Sequence, residues 1–166
     1  MSISAKLYCI CLFITTFQAC AQVKNTVVKS NAFFMIPMPG TVPVDEQGNE
    51  VRPQRDTVYF IYVETKEKDI KWERAWKNGR SFSVIPSALR EAKTVITSGL
   101  GGNQKIRISP ADGNTVWQIE LSDDQQKAAA PQPLKAGEIL LIGKEKGKAF
   151  YVTINTVTEI ASPEYQ

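Results

Sequence analysis

The sequence predicts an all-β fold: a single β-sandwich, immunoglobulin-like or similar, of about seven or eight strands with one short helix, following a cleaved signal peptide. Three observations lead there. Short β-branched and aromatic runs recur with turn signals every ~8–12 residues. Few stretches have helical chemistry, and those are scarcely two turns long. Several strands also pair a polar face with an apolar one, as Lys105, Arg107 and Ser109 do against Ile106 and Ile108, which suits sheets with one wet side better than a ligand-filled barrel.

The elements follow in chain order. Residues 22–32 are polar and unpatterned and are expected to be a flexible tether, with the sandwich domain spanning 33–162. Phe33-Phe34-Met35-Ile36 makes a short strand ended by Pro37 and Pro39, and Pro43 and Pro53 keep the stretch from Gly40 to Gln54 a turn-rich loop. Thr57 to Glu64 is apolar on both faces and should be central. Ile70, Trp72 and Trp76 share even positions, as do Phe82 and Val84 after the Asn78-Gly79 turn. Paired positions must keep parity, so a three-residue loop, Lys77-Asn78-Gly79 with a bulge at Gly79, is expected to set Trp72 against Val84 and Arg74 against Phe82. A helix from Ile70 to Lys77 competes with that reading, because Trp72 and Trp76 are also i, i+4 neighbours.

Pro86 to Lys93 has the best helical chemistry in the chain and supplies the one expected helix. Thr94 to Thr97 is a short strand before the bend Gly99-Leu100-Gly101-Gly102-Asn103. Strands Lys105 to Ser109 and Thr115 to Leu121 flank the Asp112-Gly113 turn. Ser122 to Pro133 is a polar connection with room for one helical turn at Lys127 to Ala130, and a last hairpin, Glu138 to Ile142 and Ala149 to Ile160, closes on Gly147.

The segment from Met1 to Ala21 has an early cation, Lys6, an apolar run from Leu7 to Phe17, and the small-residue tract Ala19-Cys20-Ala21. This is the plan of a secretory signal, too short for a span of ~20 apolar residues. Ala19-x-Ala21 fits cleavage before Gln22. Phe17-Gln18-Ala19-Cys20 also resembles a relaxed bacterial lipobox, although Phe17 and Gln18 depart from its usual residues. That resemblance implies cleavage before Cys20 and lipidation of its thiol. The protein is therefore expected to be exported to the periplasm, outer membrane or surface of a bacterium, touching membrane only through a lipid at Cys20.

All three cysteines (Cys9, Cys11, Cys20) lie in that leader region, and histidine is absent. The remainder cannot build a Ser-His-Asp or Cys-His nucleophile, a His/Cys zinc cage, a CxxC redox pair or a disulfide. The net charge of +3 falls by one when Lys6 leaves, and acids and bases are interspersed, so no nucleic-acid footprint is visible. Lys144-Glu145-Lys146-Gly147-Lys148 is best read as a solvated hairpin tip.

The candidate ligand-binding residues are Trp72, Arg74 and Trp76, whose indoles would stack on sugar rings of a polysaccharide or peptidoglycan. Packing of both indoles in the core is the favoured alternative, and Trp117, in line with Ile119 and Leu121, is expected there. Gly99-Leu100-Gly101-Gly102 lacks the Lys-Ser/Thr end of a phosphate loop. Asp45, Glu46, Asn49 and Glu50 are spaced unlike a calcium-binding EF-hand loop. Glu64, Glu120, Asp123 and Asp124 would have to supply any carboxylate pair for glycoside hydrolysis. No catalytic residue, metal or cofactor is assigned. The leading expectation is a non-enzymatic binding or structural accessory domain of the cell envelope with a protein or glycan partner; a glycan-binding module and a carboxylate hydrolase are the alternatives.

Overall fold

The structure is a computed structural model that describes residues 26–37, 45–48, 57–98, 103–124 and 126–161. The leader with Cys20, most of the proline-rich loop and the Gly99–Gly102 bend lie outside these residues. The described chain is all-β, with ten strands in the order β1 (Val27–Met35), β2 (Val58–Thr65), β3 (Ile70–Lys77), β4 (Arg80–Ala88), β5 (Lys93–Thr97), β6 (Gln104–Ile108), β7 (Thr115–Asp123), β8 (Ile139–Glu145), β9 (Lys148–Ile154) and β10 (Val157–Glu159).

Eight strands hydrogen-bond into one sheet in the order β10-β1-β2-β7-β4-β3-β8-β9, and β5 and β6 form a separate ribbon. Every pairing is antiparallel except β1 with β10. The expected division into two stacked sheets is thus replaced by one sheet that curls until β9 approaches β1. Its concave face closes on itself: Ala32, Ile61, Val63, Ile70, Trp72, Ala75, Phe82, Ile119, Ile139, Leu141, Phe150, Val152 and Ile154 form one buried cluster. Each large aliphatic side chain there contributes ~1.5–3 kcal/mol, so this cluster is the main hydrophobic core of the described residues.

Strand β2 is central, as its two apolar faces require: β1 and β7 flank it, Ile61 and Val63 point into the curl, and Phe60 and Tyr62 point out. The outward pair is covered by the β5–β6 ribbon. Val95 and Ile108 pack there on Phe33, Tyr62 and Val116, with the Phe33 and Tyr62 rings edge to face at 5.9 Å.

Three local expectations are corrected. Residues 22–32 are not all tether, because β1 starts at Val27 and pairs with β2 from Val27↔Thr65 to Met35↔Val58. The polar Lys29-Ser30-Asn31 run masks the strand in the sequence; pairing to an apolar central strand overrides it. Pro86 to Lys93 is not a helix. Val84 to Ala88 continues β4 along β7, and the Leu89 N–H extends the contact to the Val116 carbonyl at 2.8 Å. Beyond Ser83, β4 has no partner on its β3 side, so Pro86 lies on a strand edge that needs no N–H there.

The third correction concerns the β3–β4 hairpin. The loop has two residues, with Lys77 opposite Arg80, Trp76 opposite Ser81 and Ala75 opposite Phe82. Asn78 and Gly79 both have positive φ, 49° and 75°, the left-handed pair that a two-residue turn between twisted strands demands. Parity is repaired further up the strand. The register of β3 against β8 slips between Trp72 and Arg74, leaving Glu73 as an extra residue. Trp72 pairs with Gly143 and faces the core, and so does Ala75, opposite Leu141; Trp76, opposite Leu140, faces outward.

Gly143 makes room for this arrangement. A Cβ there would lie 2.7 Å from Phe150 Cζ and 3.1 Å from Trp72 Cε3, two rings packed edge to face at 5.6 Å. Neither ring end can swing aside in a close-packed core. Gly143→Ala should therefore destabilise the fold by about 1–3 kcal/mol in urea denaturation. An unchanged midpoint would mean that the two rings do not meet over this glycine.

Candidate functional site

The bulge at Glu73 separates the three residues singled out as a ligand platform. Trp72 is 5% exposed on the inner face and Trp76 is 5% exposed on the outer face. The sugar-stacking arrangement is thereby replaced by two packing roles. Residues 126–130 lie beside Trp76, in the same connection as Asp124: the Trp76 indole N–H donates to the Ala128 carbonyl at 2.9 Å, and the Ala128 N–H donates to Ser81 Oγ at 3.0 Å. Arg74 fastens the same segment, with Nε 2.9 Å from Asp124 Oδ2 and a guanidinium N–H donated to Gln126 Oε1 at 3.0 Å. Lys127, with φ 42°, belongs to no helical turn. Trp117 is half-buried against the inner core and donates to Thr65 Oγ1 at 3.0 Å.

The carboxylates considered for hydrolysis are engaged in holding the chain. Glu64 Oε1 accepts from the Asn114 side chain at 2.6 Å and from the Ala111 N–H at 3.0 Å, which pins the β6–β7 turn to β2. Those hydrogen bonds, the Asn114 one first, hold its pKa below the usual carboxylate value. The Asp124 pKa is lowered as well, chiefly by the Gln126 N–H, with help from Ser81 and Arg74 against the cost of desolvation. A general acid needs the opposite shift. Asp123 pairs with Arg80 at 2.8 Å on an exposed edge, and Glu120 accepts from the Gln118 amide at 3.1 Å.

Of the calcium candidates, Asp45 accepts from the Gln47 N–H at 3.0 Å, while Asn49 and Glu50 lie outside the described residues. Among the described residues no three His, Cys, Asp or Glu side chains cluster as metal ligands. Burial lowers the pKa of Lys77, whose Nζ donates to the Gly137 carbonyl at 3.1 Å and sits 5.4 Å above the Tyr59 ring. The Lys144–Lys148 cluster is the β8–β9 hairpin tip, where Glu145 pairs with Lys148 across Lys146-Gly147.

Among the described residues, a site-like concavity lies where none of these residues is. Between the edge of β5 and the outer face of β1 and β2 runs a cleft of about 340 Å³, within the range of small-molecule sites. Its floor is Phe33, Met35, Phe60 and Tyr62; one wall is Lys93 to Ile96, and Ile160 and Ala161 close the end. The chain after β10 ties that end shut. Ile160 N–H donates to the Phe34 carbonyl at 2.9 Å, Ala161 N–H to Ile96 at 3.0 Å, and Ser98 N–H to Glu159 at 3.0 Å.

Polar groups gather at one point of the rim. Gln118 Oε1 accepts from Lys93 Nζ at 3.0 Å and faces the Tyr62 hydroxyl at 3.3 Å, and Lys93 Nζ stands 5.7 Å over the Tyr62 ring. A second concavity of about 540 Å³, lined by Gly79 to Ser81, Asp123, Asp124 and Lys127 to Ala129, is more polar, and there Arg80 pairs with Asp123 and Asp124 accepts from the Gln126 N–H. The apolar cleft is therefore the better candidate. Its signal in the sequence is the aromatic outer face of β2, Phe60 and Tyr62, which a strand with a wet side would not carry.

The two lowered carboxyl pKa values have a consequence for stability. Each group binds its proton more weakly folded than unfolded, so its contribution is full above the ordinary carboxylate pKa of about 4 and is lost as pH falls through the folded value. Asp124→Asn should lower the urea midpoint at neutral pH and flatten its decline on acidification. A variant whose acid limb parallels that of the wild type would contradict the role given to Asp124.

Compared with known proteins, the chain significantly matches no protein-family model, no curated protein and no solved structure, so the functional reading rests on this geometry.

Proposed function

We propose that this protein is an exported accessory of the bacterial cell envelope that acts by binding, and that it holds a small, largely apolar ligand in the cleft between β5 and the outer face of β1–β2. The observation that carries the reading is the cleft itself: half-buried Phe60 and Met35 line it beside Phe33 and Tyr62, which are already packed under the ribbon, so its open surface is largely apolar. Few polar groups, gathered at one rim, orient a ligand without supplying chemistry.

The leader supports export, either as a free periplasmic or secreted form beginning at Gln22 or as a form tethered through Cys20. A chain without histidine, and without cysteine beyond Cys20, supports a binding role over nucleophilic or redox catalysis. The carbohydrate reading loses its basis in Trp72 and Trp76, since neither indole face is open.

The neutral fluorophore N-phenyl-1-naphthylamine tests the cleft. Its emission should rise and shift to the blue on addition of the protein. Met35→Trp, at a half-buried position on the cleft floor, should fill the space and abolish the rise while the melting temperature stays near that of the wild type. Equal enhancement by both proteins would place the probe elsewhere and remove the support for this reading.

A further inference from the structure

Resting on that reading of the cleft, the geometry points to the class of its ligand: we infer that the cleft takes a single-chain amphiphile with an aliphatic body and an anionic head, the head bound by Lys93. Lys93 is the only charged side chain on the cleft wall among the described residues. Three other cations, Arg74, Arg80 and Lys144, are matched by acids, namely Asp124, Asp123 and Glu73. Lys93 is not. Among the described residues its Nζ has one hydrogen-bond acceptor, the neutral amide oxygen of Gln118, and one ring face, Tyr62.

An ammonium has three donors, so two remain for an incoming head group. Glu120, the nearest acid in this network, accepts from the amide nitrogen of Gln118; the amide thus stands between carboxylate and ammonium and leaves the positive charge facing the rim. The Tyr62 hydroxyl, also on Gln118 Oε1, adds a second polar group at the same point.

Below the rim the walls change character at once. Met35, Phe60 and Ile160, the half-buried apolar side chains of the lining, offer a ligand nothing but apolar contact. A compact anion such as phosphate would find one lysine and no second donor cluster, whereas an alkyl carboxylate satisfies both halves together. The tail removes apolar surface from water, and the head completes a charge-assisted hydrogen bond. A cationic amphiphile of the same length would set like charges against each other at the rim.

Calorimetric titration of the purified protein with decanoate, decanol and decyltrimethylammonium, each below its aggregation concentration, tests the inference. Decanoate should bind about tenfold more tightly than decanol, and decyltrimethylammonium most weakly. Lys93→Met should remove the preference for decanoate and leave decanol within about twofold of its wild-type affinity; Lys93→Arg should restore it. Equal affinities for decanoate and decanol in the wild type, or a preference that survives Lys93→Met, would overturn the anionic head and leave the cleft standing. Failure of all three to bind would overturn the cleft reading and this inference with it.

Discussion

One extra residue in β3 organises much of the molecule. Glu73 has no counterpart on β8, and this bulge reverses which way the rest of β3 faces. Without it, Trp72 and Trp76 would lie on one face of the sheet, and a two-residue turn at Asn78-Gly79 would set inward residues of β3 against outward residues of β4. With it, Trp72 enters the curl over Gly143, Ala75 meets Phe82, and Trp76 passes to the outside with Leu140. The outward Trp76 and fully buried Leu140 then need a cover, and the segment after β7 provides it through Ala128 and the Arg74–Asp124 pair.

Among the described residues the sheet thus has an inner face packed by its own side chains and an outer face protected piecemeal. The connection after β7 covers it over β3 and β8, and the β5–β6 ribbon covers it over β1, β2 and β7. Away from these covers the exposed apolar side chains of the described residues, such as Val28 and Ile85, stand singly, without a cleft shown around them. The cleft beside β5 is where cover and face part, held at that spacing by the hydrogen bonds of Ile160 and Ala161 to β1 and β5. Binding, as proposed, would follow from the incomplete coverage of this outer face, and Lys93 at its rim would give that gap a sign.

Much of the framework was legible in the residues because local chemistry and tertiary role agree there. The two apolar faces of Val58 to Thr65 do mark a central strand, and Asn78-Gly79, Asp112-Gly113 and Lys146-Gly147 do mark turns. What was not legible depends on pairing. A bulge leaves no trace in composition, so the even spacing of Trp72, Arg74 and Trp76 looked like one face. The Pro86 segment has helical chemistry, but β7 offers it a ladder worth more than two turns of isolated helix. Lys29-Ser30-Asn31 reads as a tether until β2 pairs with it. The cleft joins residues from β1, β2, β5 and the chain after β10, which no window of sequence brings together; only the surplus aromatic face of β2 hinted at it.

The central claim, that ligand binds on the outer face beside β5 while the inner core stays closed, is tested most directly by methyl NMR of the labelled protein titrated with decanoate. The account predicts shifts at Met35, Val95, Ile96 and Ile160, with Ile61, Ile119, Leu141 and Val152 unmoved. Shifts confined to the inner set, or spread evenly over both, would contradict it.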